Sequence, residues 1–306
     1  VPRRARSRLA GFFWAALTVL IFSGWFVVTR FSVSRELQIW DITALRFGIG
    51  AILLAPMIIQ RRSHFSPAAW GEGLVFAVLW GAPFVLLVAL GIKLTSAAQA
   101  ASVAPTLMPI FAGIFAWTFL HERQGWQRWV GYTAILSGLS LLVLTGAAIH
   151  GPPSPAGLGA LAAAAAMWAV YTLLFRRSGL KSIEAAGLIC IWSAVLFLPF
   201  YLLCGLSRFN LASAGEIALQ AAYQGVLMSG IAIITYNRAV SMLGSEAATA
   251  IIALLPAVAS LLAMPVLGER PSPAEGAAIA IIVAGVLLAS RPPKALKAPQ
   301  IERRAP

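Results

Sequence analysis

Residues Gln99–Arg123, QAASVAPTLMPIFAGIFAWTFLHER, and residues Glu246–Arg270, EAATAIIALLPAVASLLAMPVLGER, are one segment written twice, 147 positions apart and without a gap. Nine of the 25 aligned pairs are identical, among them Ala100/Ala247, Ala101/Ala248, Pro109/Pro256, Glu122/Glu269 and Arg123/Arg270. The register continues through Ile135/Ile282, Gly138/Gly285 and Leu141/Leu288. Ala and Leu matches arise easily in so apolar a chain; a proline and a Glu-Arg pair in one frame do not. A period of half the chain means that the fold is a duplication.

The 306 residues are 60% hydrophobic and only 11% charged, with a mean hydropathy of +0.85. A soluble domain would be about 25% charged. Bilayer-spanning helices need about 20 apolar residues each. Ten such runs occur, at 9–29, 40–60, 69–92, 97–120, 127–145, 155–175, 182–204, 215–237, 246–267 and 273–290. The runs are continuous rather than alternating, which favours helices over a membrane barrel. The expected fold class is an all-α membrane protein, with ten transmembrane helices as two five-helix inverted repeats around a central cavity. Inversion follows from parity: after five crossings the second half enters the membrane from the opposite side, as in many secondary transporters. No residues remain for a soluble domain.

A net charge of +13 would suggest nucleic acid in a soluble protein, but its distribution argues otherwise. With the N-terminus inside, the inward ends and loops hold seventeen Lys and Arg, the outward loops five, and Arg46 lies within a helix. That split follows the positive-inside rule and places both termini in the cytoplasm. The expected partners are bilayer lipid and a small-molecule substrate, with no nucleic acid and the chain acting as a monomer. The first apolar run lacks a small-x-small cleavage site and reads as a retained span. Cys190 and Cys204 stand 14 residues apart on one span, about 21 Å by helix rise. They cannot bridge each other, and both read as buried small hydrophobes.

The halves divide at residues 146–157, GAAIHGPPSPAG, a Gly/Pro-rich stretch without Lys or Arg and therefore expected to be a periplasmic linker. The plan is a cytoplasmic segment 1–8, a repeat 9–145, the linker, a repeat 158–290 and a cytoplasmic tail 291–306. Trp80-Gly-Ala-Pro83 interrupts the third span, because proline removes a backbone hydrogen bond and clashes one turn back. The position equivalent to Pro83 is Gly230, in the eighth span. Helix breakers at matching depths of the two halves point to a binding site or hinge, although Gly and Pro are also commoner in membrane helices generally. Pro105, Pro109 and Pro256 are expected to add further breaks. The hinge candidates are Pro83, Gly230, Pro109 and Pro256.

Enzyme signatures are nearly absent. His121-Glu122 opens like the zinc-protease HExxH, but the second His is missing. No phosphate loop or Ser/His/Asp set occurs, so catalysis, cofactor and metal are not expected. Arg46, six residues into the second span, either snorkels to the outer headgroups or faces the cavity and binds a carboxylate. Asp41 and Glu246 open helices, where a carboxylate suits the dipole; a proton or substrate-amine site is the alternative for Glu246. Glu122 and Glu269 follow helix ends, so each should pair locally or begin the next helix. For a neutral or zwitterionic ligand the spans offer Trp14, Trp25, Trp80, Phe84, Trp117, Trp168, Tyr171, Tyr223 and Tyr236, with Gln99, Gln224 and Asn237. Trp80 and Phe84 flank the third-helix break one turn apart, and Trp168 and Tyr171 stack at i, i+3. The substrate-binding candidates are Trp80, Phe84, Trp168, Tyr171, Gln99 and Arg46.

Two five-helix halves, the endings Leu-His-Glu-Arg123 and Leu-Gly-Glu-Arg270, and Pro109 with Pro256 resemble the drug/metabolite transporter superfamily. The pattern is similar to its EamA-type repeat, over roughly residues 10–290. His121, where the second half has Gly268, departs from the more usual Gly-Glu-Arg. Length, ten spans and the Ser23-Gly-Trp25 opening look most like the bacterial aromatic amino-acid exporters of the YddG kind. The resemblance implies a ten-helix basket with an apolar cavity, moving neutral and aromatic amino acids outward across the inner membrane. Efflux of lipophilic drugs or other metabolites would use the same cavity, and uptake the same helices. A non-transporting scaffold subunit is the rival from another class, although packing alone needs neither paired helix breaks nor inversion.

Overall fold

The computed structural model describes residues 3–33, 37–61, 65–95, 97–122, 124–150, 154–267 and 272–289. The first half comprises α1 (Arg3–Val33), α2 (Ile39–Gln60), α3 (Pro67–Trp80), α4 (Ala82–Leu94), α5 (Ala97–Leu120) and α6 (Trp126–His150). The second comprises α7 (Pro155–Arg177), α8 (Ser182–Leu203), α9 (Ala214–Gln220), α10 (Ile233–Leu243), α11 (Ser245–Ile252), α12 (Leu255–Leu267) and α13 (Pro273–Ala289). A π-helical stretch, Ala221–Ala232, joins α9 to α10. Among the described residues no strand occurs. α3 with α4, α9 with α10, and α11 with α12 each read as one crossing, which makes ten. Nine contain membrane-length apolar runs; the tenth, Pro273–Ala289, is shorter.

Local chemistry sets the helix starts. Ser66 Oγ accepts from the Ala69 N–H at 3.2 Å, with Pro67 opening α3. Glu184 accepts from the Lys181 N–H at 2.9 Å, and Ser272 with Glu275 forms a reciprocal capping box at α13. Outward faces carry Leu9, Ile52, Leu144, Leu203 and Leu287, each more than half exposed. In water such area would cost about 25 cal/mol per Å²; against acyl chains it costs nothing, because lipid tails are as apolar as leucine.

The halves exchange helices reciprocally. α1 lies against α10 and α12, while α7, its counterpart, lies against α4 and α5. Each half's first helix therefore packs on the other half's third and fourth spans. α2 packs on its counterpart α8, and α6 on its counterpart α13. Along the last seam the backbones touch: a Cβ at Gly285 would stand 2.7 Å from the Gly131 carbonyl oxygen, and one at Gly131 2.7 Å from that of Gly285. Small residues at such a crossing permit the approach that larger ones would block.

The interruptions fall partly where expected. The third span breaks at Gly81, between α3 and α4, and Pro83 sits in the first turn of α4, where its missing N–H leaves nothing unbonded. Gly230 lies inside the π-helical stretch of the eighth span. The ninth span is interrupted just before Pro256, since α11 ends at Ile252 and α12 starts at Leu255. Pro105 and Pro109, by contrast, do not break the fourth span; α5 runs through both. Membrane helices tolerate proline where neighbouring groups take up the freed carbonyls. α6 persists to His150 and α7 starts at Pro155, so the connection between the halves is shorter than the 146–157 stretch suggests. Cys190 is buried, but Cys204, at the end of α8, is exposed.

Candidate substrate site

The break at Gly81 positions a nest of rings contributed by both halves. Trp80, the last residue of α3 and 1% exposed, stacks on Tyr171 of α7 at 4.6 Å between centroids and on Trp168 at 5.7 Å. Tyr236 of α10 stands 5.0 Å from Trp80. Phe22 of α1 closes the group, 5.6 Å from Trp168 and 6.2 Å from Trp80. Phe84, in the first turn of α4, meets Trp168 edge-on at 6.0 Å. Each such pair contributes about 0.5–1.5 kcal/mol beyond its buried area. The hydroxyls are tied down: Tyr171 donates to Asn237 Oδ1 at 2.7 Å, and Tyr236 Oη lies 2.5 Å from Thr172 Oγ1. In this conformation the cluster is closed on itself: every ring is buried, and the two hydroxyls are directed at neighbouring side chains.

Side chains meet backbone groups at both interruptions. The Ala82 N–H donates to Ser193 Oγ of α8 at 3.3 Å. A Cβ at Gly81 would lie 2.1 Å from that oxygen and 2.2 Å from the Ala77 carbonyl oxygen, so the break accepts only glycine. At the π-helical stretch, Ser229 Oγ donates to the Arg46 carbonyl at 2.5 Å and the Gln224 carbonyl at 3.0 Å. The Ala82 N–H and the Arg46 carbonyl are thus engaged across the halves in this conformation, and parting the halves would release both. Beside the break, a recess of about 150 Å³ runs between Pro83 and Ser193, Phe197 and Phe200. Its outer wall, Phe200, is 51% exposed, so the recess faces lipid.

Arg46 lies one layer away, on α2. It is 2% exposed, which excludes the snorkelling conformation. Its guanidinium carbon stands 6.0 Å from the centroid of Trp25 and 5.5 Å from that of Phe47. Asp41, on the same helix, is engaged elsewhere: it accepts from the Gln38 N–H at 3.0 Å, Tyr201 Oη at 2.6 Å and the Arg208 N–H at 2.9 Å.

At the end of the bundle where α5, α7 and α10 finish, polar side chains tie the halves together. Arg128 of α6 pairs with Glu246 in the first turn of α11. Gln124 donates to Glu246 at 2.7 Å and accepts from Arg128 at 3.0 Å. Arg176, closing α7, pairs with Glu122 at 3.1 Å and donates to Ser245 Oγ at 3.3 Å. Glu122 therefore pairs across the halves rather than locally, correcting that expectation. Glu246 is neither a bare cap nor a free carboxylate; with Arg176 and Ser245 it is one of the second half's members of this latch.

Of the sequence candidates, the fold brings Trp80, Phe84, Trp168 and Tyr171 into one cluster, and places Arg46 beside Trp25, one turn along α1 from Phe22 of that cluster. The side chain of Gln99, and all of Arg123, Glu269 and Arg270, lie outside the described residues. Sequence reasoning did not select Phe22, or Phe76, which stands 5.2 Å from Tyr171. Tyr236 and Asn237 were among the available groups without being singled out. Their adjacency as two polar-tipped residues inside an apolar span was the signal that could have raised them.

Ten crossings in two repeated halves, interrupted helices at the junction and an aromatic centre built from both halves are the attributes of a multi-pass membrane transporter. Residues 9–144 and 155–291 match the EamA-like transporter family, and the protein belongs to that family. It is 30% identical over 198 residues to a probable terminal-alkyne amino-acid exporter of Streptantibioticus cattleyicolor, a match spanning 63% of this chain and 64% of that relative's length. An uncharacterized protein of Pseudomonas aeruginosa is 28% identical over 90% of this chain and 93% of its own. An uncharacterized transporter of Bacillus subtilis is 26% identical over 83% and 87%. A solved crystal structure with 23% sequence identity has a TM-score of 0.69, covering 93% of this chain and 96% of that one; it shares the fold.

Proposed function

We propose that the protein is an inner-membrane exporter of neutral and aromatic amino acids, with both termini cytoplasmic and no enzymatic step. The observation that carries this reading is the buried ring cluster of Phe22, Trp80, Trp168, Tyr171 and Tyr236, assembled from both halves beside the Gly81 break. Flat rings with hydroxyls at one edge suit an aromatic or large apolar side chain; stacking is sequestered from water and from lipid alike. The amino-acid exporter among the relatives supports the same substrate class.

Transport follows by alternating access. In this conformation the rings close the centre and the Arg128–Glu246 and Arg176–Glu122 pairs close the end expected to face the cytoplasm. Opening that end separates the latch and draws α7 from α4 and α5, so that Trp168 and Tyr171 part from Trp80 and admit the substrate. Gly81 with Pro83, the π-helical stretch around Gly230, and the interruption before Pro256 are the hinges. Pro109 lies inside an unbroken helix, so the motion is assigned to the three interruptions.

Ligand-induced stabilisation of the purified protein tests the class of substrate. A ligand at 100 times its Kd adds about 2.7 kcal/mol to the folded state, a shift of several degrees in Tm. Phenylalanine, tryptophan and threonine should raise Tm, and tetraphenylphosphonium should not. Stabilisation by the cation alone would move the protein to drug efflux. No shift with any solute would revive the scaffold role.

A further inference from the structure

The buried charged residues among those described are Asp41, Arg46 and Arg128. Two of them are answered: Asp41 by three donors, and Arg128 by Glu246. Arg46 is not. Among the described residues it has no ion pair and no side-chain hydrogen bond, and its Nε is a buried donor without an acceptor. Two aromatic faces lie against the guanidinium, a partial compensation for a desolvated cation. Packing does not require a charge here. An ionised side chain left unpaired within a membrane span is destabilising, and its retention points to a role in recognising charge.

The site's place fits one ligand geometry. Trp25, beside Arg46, is three residues from Phe22, about 4.5 Å along α1 by helix rise. A molecule with its ring among Phe22, Trp80 and Trp168 would bring a group one short chain away into the layer of Arg46. A carboxylate answers a guanidinium with two parallel charge-assisted hydrogen bonds, a fit that an ammonium such as lysine does not reproduce. We infer that Arg46 reads the carboxylate of the transported molecule. This rests on the exporter reading above and sharpens it: no unpaired buried carboxylate among the described residues faces the cluster to read an amine. The site therefore demands the acid group of its substrate more strictly than the amino group.

The test uses the full-length protein in lipid nanodiscs, with Kd measured for 3-phenylpropionate, 3-phenylpropionamide, phenylalanine and phenethylamine. The wild type should bind the two carboxylates at least about tenfold more tightly than the amide and the amine, the scale of one lost charge-assisted contact. R46Q should abolish that preference, and R46K should retain part of it. Because R46Q removes an unanswered buried charge, its ligand-free Tm should equal or exceed that of the wild type. The inference is overturned if R46Q keeps the acid preference, if the wild type has none, or if R46Q lowers Tm and weakens all four ligands equally. Failure of the exporter reading is distinguishable from these. Arg46-dependent binding of 3-phenylpropionate without phenylalanine flux would leave the site standing and the amino-acid substrate refuted. Phenylalanine flux with an unaltered acid preference in R46Q would do the reverse.

Discussion

A methyl group at Gly81 would stand 2.2 Å from the Ala77 carbonyl oxygen and 2.1 Å from Ser193 Oγ. The first of these atoms is backbone and cannot swing away, so Gly81→Ala must displace the joint between α3 and α4. Overpacking of this kind costs about 1–3 kcal/mol, and thermal unfolding in detergent should show a lower Tm. The shift moves Trp80 relative to Tyr171 and Trp168, so ligand stabilisation should fall along with it. An unchanged Tm would mean that the joint is already loose. At this scale the sequence was only half informative. Trp80, Phe84, Trp168 and Tyr171 stood out because aromatic residues beside a helix break or at helical spacing are visible in one stretch of chain. Phe22 joins them through residues 58 and 146 positions away, Tyr236 through residues 68 and 156 positions away, and no local pattern encodes which aromatic faces inward. Arg46 was visible as a charge in a span; that it is buried rather than snorkelled depends on α1 and the π-helical stretch covering it.

The two ion pairs of the latch differ in burial, and that decides their weight. Arg128 and Glu246 have side chains 9% and 15% exposed, whereas Arg176 and Glu122 are 42% and 31% exposed. An exposed pair contributes only about 0–1 kcal/mol; hydrogen bonds to a largely buried charge contribute about 1.5–3 kcal/mol. Glu246→Gln should therefore lower Tm measurably and increase the water accessibility of the α5–α11 contact, read by hydrogen exchange. Glu122→Gln should do little to either. Equal effects would contradict the greater weight given to the buried pair. Helix-level structure was legible where physics is local, as in the ten apolar runs and the carboxylate starts at Asp41 and Glu246. It failed at Pro105 and Pro109, because a proline's effect depends on whether neighbouring groups accept its orphaned carbonyls. It failed again at 146–157, where glycine and alanine continue α6 to His150 despite a loop-like composition.

For the whole molecule, the duplicated segment around Pro109 and Pro256 carried most of the fold. A repeat containing five crossings forces inversion, and inversion in turn forces the reciprocal contacts of α1 with α10 and α12 and of α7 with α4 and α5. Those contacts place the first helix of each half against the interrupted third span of the other, which is why the ring cluster lies at the junction. The function was less legible. A scaffold of this kind fixes where a ligand is held and which segments move, while the ligand's identity resides in a handful of side chains. Efflux of labelled phenylalanine from preloaded vesicles, wild type against Trp168→Ala, tests the exporter account most directly. The account predicts efflux by the wild type and its reduction by at least about tenfold in the variant, the effect of losing one stacking contact worth roughly 1.5 kcal/mol, with the variant still folded. Phenylalanine efflux undiminished by Trp168→Ala, or no efflux from correctly folded wild-type protein, would contradict it.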